Sequence, residues 1–243
     1  MTGILVFAPH PDDETLGCGG SIAHHIEMGR SVNVVFLTSG EQGVTGTRVE
    51  RAGLVREQEA ETALGKLGVA AQDVHFLRLP DGGLDPMDWD HFLQVLCILR
   101  QLRPSAVYLP HAADASFDHR QAFQLVWRAL EKCASRSYPH AGQRHWVGTV
   151  LAYEVWSTLP APSYLQRLDP AQIAAKHDAL SCYSTQVKGE GEADYAGDGG
   201  VALARFRGAM SVGGHCEAFA VLRLAAPDWG PKPEHASTRA ATT

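Results

Sequence analysis

The stretch Ile4-Leu5-Val6-Phe7-Ala8-Pro9-His10-Pro11-Asp12-Asp13-Glu14 decides the fold. Its five leading apolar residues run without alternation, as a strand buried on both faces of a parallel sheet does. Pro9 breaks the run, and a helix begins after a short turn carrying a histidine and two carboxylates. From about Glu14 to Met28 the apolar residues Leu16, Ile22, Ala23 and Ile26 recur at a helical period, and Gly29 follows as a residue past a C-cap would. A buried strand, a polar turn and a helix make the first half of a βαβ unit.

Outward from there the alternation repeats. Val32 to Leu37 is β-branched and apolar, a second buried strand, and Thr38-Ser39-Gly40-Glu41-Gln42-Gly43 is a loop. Val49 to Leu67 predicts an amphipathic helix closed by Gly68. Val74 to Leu79 predicts a third strand before the turn Pro80-Asp81-Gly82-Gly83. Trp89 to Leu102 is helical, Ala106 to Leu109 a strand, and Gln121 to Cys133 a helix again. Strands separated by helices of this length imply right-handed crossovers and a mostly parallel sheet. After about Ser137 the pattern is less regular: a strand over Thr149 to Glu154, helices over Pro170 to Leu180 and Ala202 to Met210, and a last strand over Glu217 to Leu224. The Gly-rich run Asp194 to Val201 is a candidate mobile loop. The expectation is one α/β domain over residues 1–226, a Rossmann-like, mostly parallel sheet flanked by helices with a less regular C-terminal part. Residues 227–243, rich in Pro and small residues, form a tail expected to be partly disordered.

Composition narrows the function classes. The 243 residues are 45% hydrophobic and 20% charged, enough to bury a sizeable core. The net charge of −6 argues against a nucleic-acid binder, which shows a basic face. No apolar run reaches the roughly 20 residues of a membrane helix, and the start lacks the basic n-region of a signal peptide. Five scattered cysteines without a CxxC pair favour neither a disulfide framework nor a thiolate metal site. A cytoplasmic enzyme is the plain expectation, with no code for oligomeric state.

Ligands of open parallel sheets bind at the carboxyl ends of the strands. His10, Asp12 and Asp13 follow the first strand, Glu41 the second, Asp81 the third, and the polar loop from His111 to His119 the fourth. Acidic and imidazole groups therefore converge on one rim. A catalytic zinc takes about three His or carboxylate ligands and keeps a position open for water. His10 and Asp13, three apart across a turn entering a helix, can face one point, and His119 is the best placed third ligand. Asp12 is left as a carboxylate beside the metal, suited to act as general base. The competing reading is a polar turn in which Asp12 and Asp13 only cap the next helix.

These residues resemble a known family, the PIG-L/LmbE-like N-deacetylases, which hydrolyse N-acetylglucosamine-type amides. The family's first motif reads A-H-P-D-D-E, and this chain has Pro9-His10-Pro11-Asp12-Asp13-Glu14, the same from the histidine onward. The resemblance continues through Leu37-Thr38-Ser39-Gly40-Glu41-Gln42-Gly43, Arg56-Glu57, Leu79-Pro80-Asp81-Gly82, Asp118-His119-Arg120 and Glu217-Ala218-Phe219, in order along most of the chain. Lys176-His177-Asp178-Ala179-Leu180 and Tyr183-Ser184-Thr185-Gln186 match a further family stretch to which sequence assigns no role.

The resemblance implies one Zn2+ per chain on His10, Asp13 and His119, with Asp12 as general base, although another divalent cation fits the same donors. It implies that Glu41, Arg56 and Asp81 hold the substrate; on its helix beside Glu57 and Glu59, Arg56 is also open to reading as a surface ion pair. The implied function is zinc-dependent hydrolysis of the acetamide of an amino-sugar derivative, a small-molecule partner. The alternatives are a zinc amidase on a non-sugar amide and a catalytically weak sugar-binding or regulatory homologue.

One departure stands out. Many family members carry H-P-D-H before the third ligand, the first His stabilising the oxyanion, whereas this chain has Ser116-Phe117-Asp118-His119. The candidates to replace that imidazole are His215, in Gly213-Gly214-His215, then His111, and Ser116 itself as a neutral donor. Asp118 and Asp114 are expected to orient neighbouring groups. Gly17-Cys18-Gly19-Gly20 is not a dinucleotide fingerprint.

Overall fold

The computed structural model describes residues 3–44, 48–186, 198–211 and 213–225. A seven-stranded sheet runs in the order β3-β2-β1-β4-β5-β7-β6, with β1 at Ile4–Ala8, β2 at Val32–Phe36, β3 at Val74–Phe76, β4 at Ala106–Pro110, β5 at Thr149–Tyr153, β6 at Tyr164–Leu168 and β7 at His215–Leu224. The first five strands pair in parallel, and β7 is antiparallel to both β5 and β6. The expected Rossmann-like α/β architecture is therefore present, with its irregular part confined to the β7-β6 edge.

Alternation along β1 divides the core in two. Ile4, Val6 and Ala8 face one side, with Leu16 and Ile22 of α1 (Asp13–Glu27), Ala60 and Leu64 of α2 (Val49–Lys66) and Leu180 of α5 (Pro170–Leu180). Leu5 and Phe7 face the other, against Phe92, Val95 and Leu99 of α3 (Trp89–Leu102) and Leu125 and Val126 of α4 (Phe117–Cys133). A strand covered on both faces has no polar side to show, which is why β1 reads as an unbroken apolar run. No helix of the described residues is long and apolar enough to cross a membrane.

Several boundaries differ from expectation. β6 has no counterpart among the expected elements: Tyr-Leu-Gln-Arg-Leu is an edge strand with one buried residue, so it carries no apolar run. α4 starts at Phe117 rather than Gln121, so the residues expected in a loop up to His119 include the first turn of a helix. α6 (Gly200–Ala209) takes up the last two residues of the Gly-rich run, while residues 187–197 of that region lie outside the described residues, as does the expected tail.

The glycines after Asp13 serve packing. A Cβ on Gly17 would collide with the Tyr153 ring, and one on Gly20 would collide with Leu168. The close approach lets α1 seat on β5 and β6, and α1 breaks its helical geometry at Cys18, between them. The late family stretches fasten the same place. Glu217 of β7 accepts the Gly20 N–H at 2.9 Å and the Ser21 N–H at 2.7 Å, and Lys176 of α5 donates to it at 2.6 Å and to the Leu16 carbonyl at 2.8 Å. Both side chains are buried. Each makes the other's burial tolerable, and removing one from such a pair costs about 3–5 kcal/mol. Lys176→Met is therefore expected to destabilise the fold by about that amount, read as a lower midpoint in urea unfolding.

Candidate metal centre

The chain moves outward from β1 to β2 and β3, then returns to place β4 on the other side of β1. That reversal opens a crevice at the carboxyl ends of β1 and β4, the place where open α/β sheets bind ligands. His10 and Asp13 come from the turn after β1 and the start of α1. Asp114, Asp118 and His119 come from the β4–α4 connection and the first turn of α4.

The side chains converge there. Asp13 Oδ2 lies 3.1 Å from His10 Nδ1 and 3.1 Å from His119 Nε2, and it accepts the His10 backbone N–H at 2.9 Å. The far nitrogen of each ring faces a second carboxylate: His10 Nε2 is 3.2 Å from Asp118 Oδ2, and His119 Nδ1 is 3.3 Å from Asp114 Oδ1. Asp118 is itself held by the Gly82 N–H at 2.8 Å, and Asp114 by the backbone N–H groups of Ser116 and Trp156. A histidine whose second nitrogen meets an anchored carboxylate is oriented and made more basic, as metal-binding histidines usually are.

The cluster fits a cation. One donor atom each from His10, Asp13 and His119 lie within 4.8 Å of one another. His119 is fully buried, yet neither ring nitrogen completes a hydrogen bond: the Asp13 and Asp114 oxygens are near enough but poorly aligned. A buried imidazole left in that state is costly, and a cation on Nε2 would give one of its two nitrogens a partner. A second grouping, His10, Asp81 and Asp118, also has its donors within 4.8 Å. Both sets use His10, but only the first includes His119, both of whose buried ring nitrogens lack a hydrogen-bond partner, so the His–Asp–His set fits better.

Charge is redistributed strongly at this point. Burial opposes a proton on His10, but the Asp118, Asp13 and Asp81 carboxylates outweigh it and carry its pKa well above the usual histidine range. Burial likewise opposes charge on His119, and Asp13 and Asp114 raise it to about 9. Burial alone would raise Asp13; the facing His119 and His10 hold it well below the carboxylate range instead.

Asp12 is treated differently. Burial, reinforced by Asp13 and Glu14, pushes its pKa up to about 7 against the pull of Arg56 and His10. Its backbone has φ +123°, a conformation that costs a non-glycine residue about 1–3 kcal/mol. The conformation is held from two sides. Glu14 accepts the Asp12 N–H at 3.1 Å and the Tyr183 hydroxyl at 2.5 Å, while Arg56 donates to Asp12 Oδ2 at 3.0 Å. Although Asp12 occupies the N-cap position of α1, its side chain makes no capping bond. The capping reading of the turn is thus not what the chain does.

The other expected site residues fall into three positions. Arg56 is buried and donates to the Gly40 and Pro11 carbonyls as well as to Asp12. Its guanidinium binds two loops and Asp12, which corrects the surface ion pair considered for it. Gly40, at φ +61°, leaves room for it: a Cβ there would collide with the guanidinium. Glu41 and Asp81 lie together on the rim. Glu41 accepts the Asp81 N–H at 3.0 Å, Asp81 accepts the Gln42 N–H at 2.8 Å, and Asp81 Oδ1 stands 3.2 Å from His10 Nε2. Ser116 is half-buried at the N-cap of α4 with its hydroxyl making no capping bond.

The two histidines considered in place of the missing imidazole lie elsewhere or are occupied. His111 accepts the Ala113 N–H on Nδ1 at 3.3 Å and donates from Nε2 to the Ser157 carbonyl at 2.8 Å. His215 opens β7 and lines a cavity with His24, Leu168, Asp169 and Gln172 that none of the cluster residues lines. Its expected place at the reaction centre is corrected: it pairs with Leu168 of the edge strand β6, on the far side of the sheet from β1 and β4. Tyr183 had only a motif match as its signal, and its contact with Glu14 spans 169 positions.

A Rossmann-like sheet with a His–Asp–His cluster at its switch point, and no dinucleotide fingerprint, has the layout of a hydrolase. The chain belongs to the PIG-L family, described as GlcNAc-PI de-N-acetylase, whose model matches residues 5–130, and this places it among hydrolases acting on C–N bonds. It is 28% identical over 240 residues to the 1D-myo-inositol 2-acetamido-2-deoxy-alpha-D-glucopyranoside deacetylase of Rhodococcus erythropolis, with 76% of this chain and 81% of that protein covered. Among solved structures it is similar to the conserved protein TT1542 from Thermus thermophilus, at TM-score 0.79 and 32% identity, covering 95% of this chain and 100% of that one. The N,N'-diacetylchitobiose deacetylase from Pyrococcus horikoshii shares the fold at TM-score 0.79 and 20% identity, covering 91% of this chain and 84% of that one.

Proposed function

We propose that this chain is a zinc-dependent N-deacetylase that hydrolyses the acetamide of an N-acetylglucosamine-type sugar derivative. The observation that carries the proposal is the His10–Asp13–His119 donor set beside the strained Asp12. The substrate class is supported by the relatives, one named for an acetamido-glucopyranoside linked to inositol and one for diacetylchitobiose. Five free cysteines fit a reducing compartment, and a cytoplasmic location is part of the proposal.

His10, Asp13 and His119 would hold the zinc ion. When bound, zinc supplies Lewis-acid polarisation of the amide carbonyl and acidifies the attacking water. Asp12 takes the proton of that water on its carboxylate, and the carboxylic acid so formed returns it to the departing amine as the C–N bond breaks. Arg56 fixes the carboxylate for both transfers, and Glu14 fixes the backbone that carries it. Glu41 is proposed to accept a sugar hydroxyl, since its second oxygen takes no hydrogen bond from the described residues. Asp81, beside it on the rim, shares that role. Ser116 is proposed as the oxyanion donor, because its hydroxyl is unspent at the N-cap. A neutral hydroxyl there stabilises less than the imidazole of other members, and losing one such donor outright costs about a hundredfold or more in rate.

The proposal is tested by incubating the zinc-loaded protein with N-acetylglucosamine, N,N'-diacetylchitobiose and an N-acetylglucosaminyl inositol, and measuring acetate and free amine together. Equal release of both from at least one sugar is expected. Release from simple N-acetyl amines alone would move the activity to non-sugar amides. No release from any of them by fully zinc-loaded protein would leave a binding or regulatory role.

A further inference from the structure

A cavity of about 700 Å³ lies away from the metal-type cluster, at the opposite end of the sheet. It is bounded by the first residues of the parallel strands, Ile4, Ala106 and Thr149, not by their carboxyl ends. A volume of this size suits a small ligand. One wall is apolar, formed by Leu151, Val221 and the Tyr164 ring.

Three of the polar residues lining this cavity, Arg30, His25 and Tyr108, form a chain of donors. Arg30 can only donate, and its Nη1 meets His25 Nδ1 at 3.4 Å. His25 must then carry its proton on Nε2, where it faces the Tyr108 hydroxyl oxygen at 2.9 Å. Burial, with Arg30 and His24 nearby, lowers the His25 pKa to about 4, in keeping with a neutral ring. Tyr108 thus spends its oxygen as an acceptor, and its hydroxyl proton has no acceptor among the described residues. Tyr108 is 5% exposed and lines the cavity, so the acceptor for that proton comes from whatever occupies the cavity. Among the described residues Arg30 has no carboxylate partner and no Asp or Glu lines the cavity. A buried hydroxyl donor, an unpaired guanidinium and an apolar wall together ask for one kind of occupant: an anion that accepts hydrogen bonds and has a hydrocarbon body.

We propose that this cavity is a second ligand site, for a small amphipathic carboxylate, separate from the deacetylase centre. The carboxylate lies against Arg30 and Tyr108, and its apolar body lies along Leu151, Val221 and Tyr164. The site does not depend on the activity proposed above, because it shares no residue with the cluster.

Hexanoate is a suitable probe, with hexylamine as the control of opposite charge, each titrated calorimetrically into the full chain. Saturable one-to-one binding of hexanoate and none of hexylamine is expected. Arg30→Gln should weaken hexanoate about tenfold or more, the usual worth of a hydrogen bond to a charged group, and Tyr108→Phe should weaken it severalfold. Arg30 is exposed, so its variant should fold and keep full deacetylase turnover. Absence of saturable binding would overturn the proposal. So would binding that Arg30→Gln leaves unchanged, since that places the carboxylate elsewhere, the metal-type cluster included.

Discussion

Asp12→Asn is expected to lower kcat by about 10²–10⁴-fold, the usual worth of a general base, while zinc stays at one ion per chain and KM changes little. The substitution is close to isosteric. An asparagine oxygen can still accept from Arg56 Nη2, which now stands 3.0 Å from Asp12 Oδ2. The backbone at φ +123° does not worsen either, since Asn tolerates positive φ about as well as Asp does. What is lost is the carboxylate that takes the proton from water and returns it to the amine. Steady-state kinetics paired with metal analysis on the same sample checks this. Wild-type kcat in the variant would remove Asp12 from the mechanism; lost zinc would make it a ligand.

His119→Ala is expected to do the reverse to metal and the same to rate. The ring is fully buried, and its Nε2 faces the same Asp13 oxygen as His10 does. Removing it leaves two of three donors, so metal content should fall well below one per chain. Without the Lewis acid, several kcal/mol of transition-state stabilisation disappear, about 10³–10⁴-fold or more in kcat/KM. Elemental analysis after gel filtration, with activity on the same fractions, reads both effects. A variant that keeps its zinc would direct attention to the alternative set of His10, Asp81 and Asp118.

The first strand, the β1–α1 turn and the order of the parallel units were legible in the sequence because their signals are local. A strand covered on both faces is an apolar run, and His10 and Asp13 are separated by about one helical turn. His119 was legible as a member of the cluster through strand order, although its helix begins earlier than its apolar period suggests. The rest depended on partners far along the chain. Arg56 looks like a helix-surface charge in sequence, yet it is buried because Asp12 and two carbonyls await it, the farthest of them 45 positions away. Lys176 and Glu217 were motif letters without a role until the fold brought them to 2.6 Å. The unusual φ of Asp12 has no sequence signature, since it is imposed by Glu14, Tyr183 and Arg56 together. His215 had the right neighbours in sequence but pairs with the edge strand β6 and lines a cavity that none of the cluster residues lines.

A crystal of the zinc-loaded protein, measured at the zinc absorption edge, tests the metal assignment most directly. A single anomalous peak bounded by His10 Nδ1, Asp13 Oδ2 and His119 Nε2, with Asp12 beside it and not bonded to it, is the predicted result. A peak among His10, Asp81 and Asp118, or no peak in the crevice at full zinc loading, would contradict it.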